Sequence, residues 1–113
     1  MDKKVAERRQ APRFTLILPA EIFNEDGEEL MAARSSDVSL VGCYIDTLNP
    51  AAVGTNISVR FRQNDETFSA AARVMYVCPG LGMGIKFDSD TPGGQMAILG
   101  RWLEQAATAA NKS

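Results

Sequence analysis

A chain of 113 residues, 45% hydrophobic and 23% charged, has the size and composition of one ordinary globular domain with a single core. Its net charge of −2 and a pI near 5.1 argue against a general binder of polyanions. The sequence contains no His, which removes the commonest metal ligand and the commonest general base together, so a zinc site or a Ser-His-Asp triad is excluded on inventory.

The charge is unevenly spread. The leading segment holds Lys3, Lys4, Arg8, Arg9 and Arg13 against Asp2 and Glu7. Residues 1–13 read as a flexible basic arm, because Pro12 disfavours a helix just before it and stiffens the approach to Arg13. MDKKVAERRQ strings no apolar residues together, so no secretory signal is expected. Nor does any run approach the ~18 apolar residues of a membrane span. Cys43 and Cys78 are too few for a disulfide framework and are expected as inert reduced thiols in a cytoplasmic chain.

Period-two patterning then predicts strands over residues 14–88. RFTLILPAEIF is apolar and β-rich, with Pro19 marking an edge or a bulge. After the acidic turn NEDGEE, the stretch ELMAARSSDVS reads as a second strand and CYIDTL as a short third. In NISVRFR, Ile57, Val59 and Phe61 alternate with Ser58, Arg60 and Arg62, the mark of a half-buried strand. TFSAAARVMYV is a fifth strand, although Ala70 to Ala72 suit a helix equally on propensity. MGIKF is the last. The period changes over residues 91–110, where Thr91-Pro92 suits a helix start. Met96, Leu99, Leu103 and Ala106 then recur at helical spacing with Trp102 on their flank. The expected fold is mostly β, a small six-stranded antiparallel barrel with one C-terminal helix as its plug. That helix could equally serve as a homodimer contact.

Two segments carry chemistry. In Arg8-Arg9-Gln10-Ala11-Pro12-Arg13 the guanidinium groups are permanently charged planar forks that bind phosphate or the O6/N7 edge of guanine and stack on base faces. In Asp37-Val38-Ser39-Leu40-Val41-Gly42, an extended backbone would put Asp37 and Ser39 on one face and Val38 inward. The carboxylate can accept the N1 and N2 protons of guanine, the hydroxyl can bond a base or phosphate, and Gly42 would let a ligand come close to the backbone. Each segment alone also reads as something plainer, a solvated terminus or a polar turn.

Together, RxxxR at Arg9 and Arg13 and DxSxxG at Asp37, Ser39 and Gly42 resemble the PilZ domain family. Arg8-Arg9, Arg13-Phe14 and the final Gly82-Met83-Gly84-Ile85-Lys86-Phe87 carry the likeness over nearly the whole chain. PilZ domains are bacterial receptors for cyclic di-GMP. The resemblance implies a split barrel in which Arg9 and Arg13 bind phosphate and guanine edges from the arm. Asp37 and Ser39 would hold the other guanine, Gly42 would give backbone access, and Arg8 would accompany a second, intercalated ligand. It implies no metal, no other cofactor and no catalysis. No output domain is read in these residues, so the signal is expected to pass to a separate protein.

Elsewhere the plainer readings lead. Arg60, Arg62 and Arg73 read as solvated strand faces, and for these and Arg34 a ligand contact is the alternative. Glu25, Asp26, Glu28 and Glu29 lack calcium-loop spacing and read as a hairpin turn. Three rival functions stand beside the receptor. An enzyme lacks a base matched to neutral pH. A ligand-independent adaptor of pilus, flagellar or secretion machinery would share the fold. A single-stranded nucleic-acid binder would need aromatic platforms in a basic groove, whereas the aromatic residues here are needed for a core.

Overall fold

A computed structural model describes residues 11–112, and the side chains of residues 11–109. It contains β1 (Phe14–Thr15), β2 (Pro19–Phe23), β3 (Glu29–Val38), β4 (Gly42–Asp46), β5 (Asn56–Gln63), β6 (Glu66–Cys78), β7 (Gly82–Phe87) and α1 (Gly93–Lys112). All pairings are antiparallel. The order β3-β2-β5-β6-β7-β4 returns to β3 through a β3–β4 pairing, so six strands close into a barrel and β1 lies outside on β3. The mostly β, six-stranded reading is correct.

Alternation explains the closure. Ile57, Val59 and Phe61 of β5 point inward with Phe68, Ala70, Ala72 and Val74 of β6 and Met83, Ile85 and Phe87 of β7. Ala70 to Ala72 are therefore strand, because pairing to β5 decides what propensity leaves open. Phe61 and Phe68 are cross-strand partners with stacked rings 6.2 Å apart, and Phe87 meets Phe68 edge-on at 5.2 Å. Each buried side chain of this size contributes about 1.5–3 kcal/mol, against about 0–1 kcal/mol for an exposed ion pair. The core, not the surface charge pairs, holds the barrel.

Where the sequence suggested one strand from Arg13 to Phe23, the chain makes two. The break spans residues 16–18, and the buried Ser35 hydroxyl fills it by donating to the Leu16 carbonyl at 2.6 Å and accepting from the Leu18 amide at 3.0 Å. Pro19 opens β2, where its missing N–H does least harm. The acidic turn is organised by Asn24, whose Oδ1 accepts from the Asp26 and Glu28 amides, both at 2.9 Å. Asn64 takes the left-handed φ of 56° in the β5–β6 turn.

The helix begins at Gly93, slightly later than expected. Thr91 does not cap it, since its hydroxyl donates backwards to the Asp88 carbonyl at 2.6 Å, and Pro92 supplies the first accepting carbonyl. Trp102 is at the centre of the buried face with Leu99 and Leu103, not on its flank. Its indole N–H donates to Glu66 Oε1 at 3.0 Å, while Arg101 pairs with Glu66 Oε2 at 2.7 Å. Gln95 Oε1 accepts the Ser69 amide at 2.7 Å. The helix thus covers the half of β6 that precedes the β6–β7 pairing, which starts at Ala72. No helix among the described residues is long and apolar enough to cross a membrane.

Candidate ligand-binding site

The register of β1 builds the site. Phe14 pairs with Val38 and Thr15 with Asp37, so the next positions along the two chains are Arg13 and Ser39. Two segments far apart in sequence are thereby laid edge to edge. Above them opens a cavity of about 300 Å³ lined by Arg13, Asp37, Ser39 and Gly42, and floored by Tyr44, Tyr76, Gly84 and Lys86. Arg8 and Arg9 lie outside the described residues.

The side chains of the second motif divide their work. Val38 is fully buried, as alternation requires, and Asp37 is half-buried at the cavity wall. Ser39 is buried and serves its own turn. Its hydroxyl donates to the Gly42 carbonyl at 3.2 Å and lies 3.2 and 3.3 Å from the Val41 and Gly42 amides that donate to it. The Ser39 amide also donates to the Gly42 carbonyl, at 2.8 Å. Ser39 therefore shapes the turn that follows Asp37 at the end of β3. Gly42 is required by packing, because a Cβ there would run into the Ile85 carbonyl of β7. The absent side chain lets β4 and β7 approach, which closes the barrel beside the site.

The floor was not read from the sequence. Tyr44, Gly84 and Tyr76 occupy matched positions on β4, β7 and β6. The Tyr76 ring lies over Gly84 and the Tyr44 ring over Gly82, each where a larger residue would place its Cβ. Outward glycines covered by neighbouring aromatic rings stabilise a sheet that would otherwise be bare. The rings are 6.2 Å apart and tilted by 32°. A hydrogen bond with Cys78, helped by burial, pushes the Tyr44 hydroxyl up to about 12, so it stays protonated. Cys43 faces the core, and burial raises its thiol well above the usual range. It is an inert core thiol.

The remaining arginines are engaged elsewhere. Glu21 holds Arg60 at 2.8 Å and Arg62 at 3.4 Å on the β2–β5 face, and these cations keep its carboxyl below the usual value. Arg34 pairs with Asp46 at 3.4 Å, and Arg73 donates to the Gly54 carbonyl at 3.4 Å. None of the four lines the cavity. Among the described residues no group of His, Cys, Asp or Glu is placed to hold a metal.

A closed six-stranded barrel, with a flanking strand that carries an arginine to the wall beside a DxSxxG loop, defines the PilZ class of domain. The profile of the PilZ domain family matches residues 7–105, and the chain belongs to that family. Among solved structures it is similar to the Bacillus subtilis inhibitor of motility (MotI/DgrA), with 18% identity and a TM-score of 0.75. That match covers 90% of this chain and 52% of the other, so the chain spans about half the length of that protein. It is also similar to the PilZ domain of Escherichia coli YcgR, solved with c-di-GMP, at 16% identity and a TM-score of 0.73 over 93% and 95% of the two chains. The PilZ domain of CeSA from a cellulose-synthesising bacterium gives 23% identity and a TM-score of 0.61 over 75% and 87%. No curated protein matches the sequence significantly.

Proposed function

We propose that this chain is a cyclic di-GMP receptor, not an enzyme, which holds the dinucleotide between the arm residues Arg9 and Arg13 and the wall residues Asp37, Ser39 and Gly42. One observation carries the reading. Arg13 and Asp37 line the same cavity, and neither has an ion-pair partner among the described residues. Left open in this way, the guanidinium suits a phosphate or the O6/N7 edge of guanine, and the carboxylate suits the guanine N1 and N2 protons. The faces of Tyr44 and Tyr76 offer stacking to a base. Arg8, one residue before the RxxxR motif, would serve a second ligand. The binding requires neither metal nor other cofactor, and a protein partner in the cytoplasm reads the liganded domain.

Calorimetric titration with cyclic di-GMP tests this and gives the stoichiometry. Saturable binding supports the receptor; no heat at high dinucleotide overturns it. A second reading, a ligand-independent adaptor, is favoured by Leu48 and Leu81. They are 79% and 70% exposed on loops joined by the Thr47 amide donating to the Leu81 carbonyl at 3.1 Å. Exposed apolar residues brought together in this way suit a protein partner.

A further inference from the structure

The cavity holds a second cation that belongs to neither motif. In β7, Met83, Ile85 and Phe87 enter the core, Gly82 and Gly84 lie beneath the tyrosine rings, and Lys86 is the one exposed residue of the strand. Its surroundings leave it room. Gly42, its partner on β4, has no side chain, whereas Gly84, the previous outward position on its own strand, lies under the Tyr76 ring. The ammonium group can therefore swing over the cavity floor.

The charge arrangement around Lys86 is unfavourable without an anion. Its partner on the other side, on β6, is Arg73, and like charges directly opposite in a sheet are destabilising. Arg34, Arg60, Arg62 and Arg101 each have a carboxylate partner, and Arg73 has a carbonyl. Among the described residues up to Arg101, Arg13 and Lys86 are the cations with no such partner, and both line this cavity. Against them stands a single lining carboxylate, that of Asp37. A dianionic ligand would reverse the imbalance.

We infer that Lys86 is a ligand-binding residue, a barrel-wall cation that takes a phosphate of the dinucleotide in the cavity it shares with Arg13. The inference rests on the receptor reading. It makes the site two-cation: Arg13 serves one phosphate while Lys86 holds the other against the floor. A flexible ammonium suits this task, since it acts as a point charge and needs no bidentate geometry.

The test pairs a variant with a labelling measurement on the unchanged chain. Lys86→Met is expected to weaken cyclic di-GMP binding by about ten- to a hundredfold, the loss of one charge-assisted hydrogen bond. Its melting temperature should not fall, because the side chain points outward and its removal relieves the repulsion from Arg73. In the unchanged chain, saturating cyclic di-GMP should shield Lys86 from acetylation, read by peptide mass spectrometry against the same chain labelled without dinucleotide. Wild-type affinity in Lys86→Met, or equal acetylation of Lys86 with and without dinucleotide, overturns this inference alone. No binding by the unchanged chain overturns the receptor reading and this inference with it.

Discussion

Thr15 and Asp37 are cross-strand partners, and this single register sets the geometry of the site. A strand of two residues, β1, fixes Arg13 beside the end of β3, which presents Asp37. The pairing also brings an arginine that precedes the barrel beside an acid from well inside the sequence, the two groups that the proposed receptor would turn towards one ligand.

Replacing Arg13 or Arg9 by alanine should weaken cyclic di-GMP binding by about ten- to a hundredfold each, from loss of a charge-assisted contact. Arg13 is exposed, so its removal leaves the core untouched. Calorimetry alongside a thermal melt checks both halves; wild-type affinity in both variants removes the arm from the mechanism.

Gly42→Ala distinguishes a packing glycine from a ligand-access glycine. The new methyl meets the Ile85 backbone, which cannot rotate away, so the β4–β7 seam must open. Overpacking of this kind costs about 1–3 kcal/mol. Denaturant unfolding without ligand should show that loss, whereas a glycine needed only for ligand approach would leave the midpoint unchanged.

Ser35→Ala removes the buried hydroxyl that joins Leu16 to Leu18. Leaving a buried amide and carbonyl unsatisfied costs about 1–3 kcal/mol. The Leu18 amide should exchange its hydrogen faster, and cyclic di-GMP affinity should fall because β1 no longer holds Arg13 in place. Unchanged exchange at Leu18 would show that the hydroxyl does not fix this segment.

Glu66 gives the fold a pH dependence. The hydrogen bond from Trp102, then that from Arg101, holds its carboxyl below the reference value of 4.5. A carboxyl with a lower pKa folded than unfolded contributes stability above the unfolded value and loses it as pH falls through the folded one. The melting temperature should therefore drop on acidification from neutrality to well below 4.5, and drop less in Glu66→Gln, which cannot titrate. Parallel melting profiles for the two would show that Glu66 is not linked to folding.

Much of the fold was legible because alternation is a strong signal. Ile57, Val59 and Phe61 declared a half-buried strand without reference to anything distant, and Arg13 and Asp37 announced themselves through motif spacing. The rest depends on partners the sequence does not name. Trp102 is central only because Glu66, on another element, receives its N–H. Tyr44, Tyr76 and Lys86 are outward residues on three different strands, and alternation separates inside from outside without saying which outward residues share a cavity. Their signal was the parity of Gly82, Gly84 and Lys86, in which two bare outward positions precede a cation. The work of Ser39 and Gly42 inside the fold was hidden for the same reason, since a turn bond and a backbone approach leave no distinctive spacing.

The barrel wall is complete without β1, because β3 already pairs with both β2 and β4. Container and clasp are therefore separable parts. If the receptor reading holds, substitutions ahead of β1 can diverge while the vessel behind keeps its shape, so responsiveness to a messenger can be retuned at one end without renegotiating how the remainder folds.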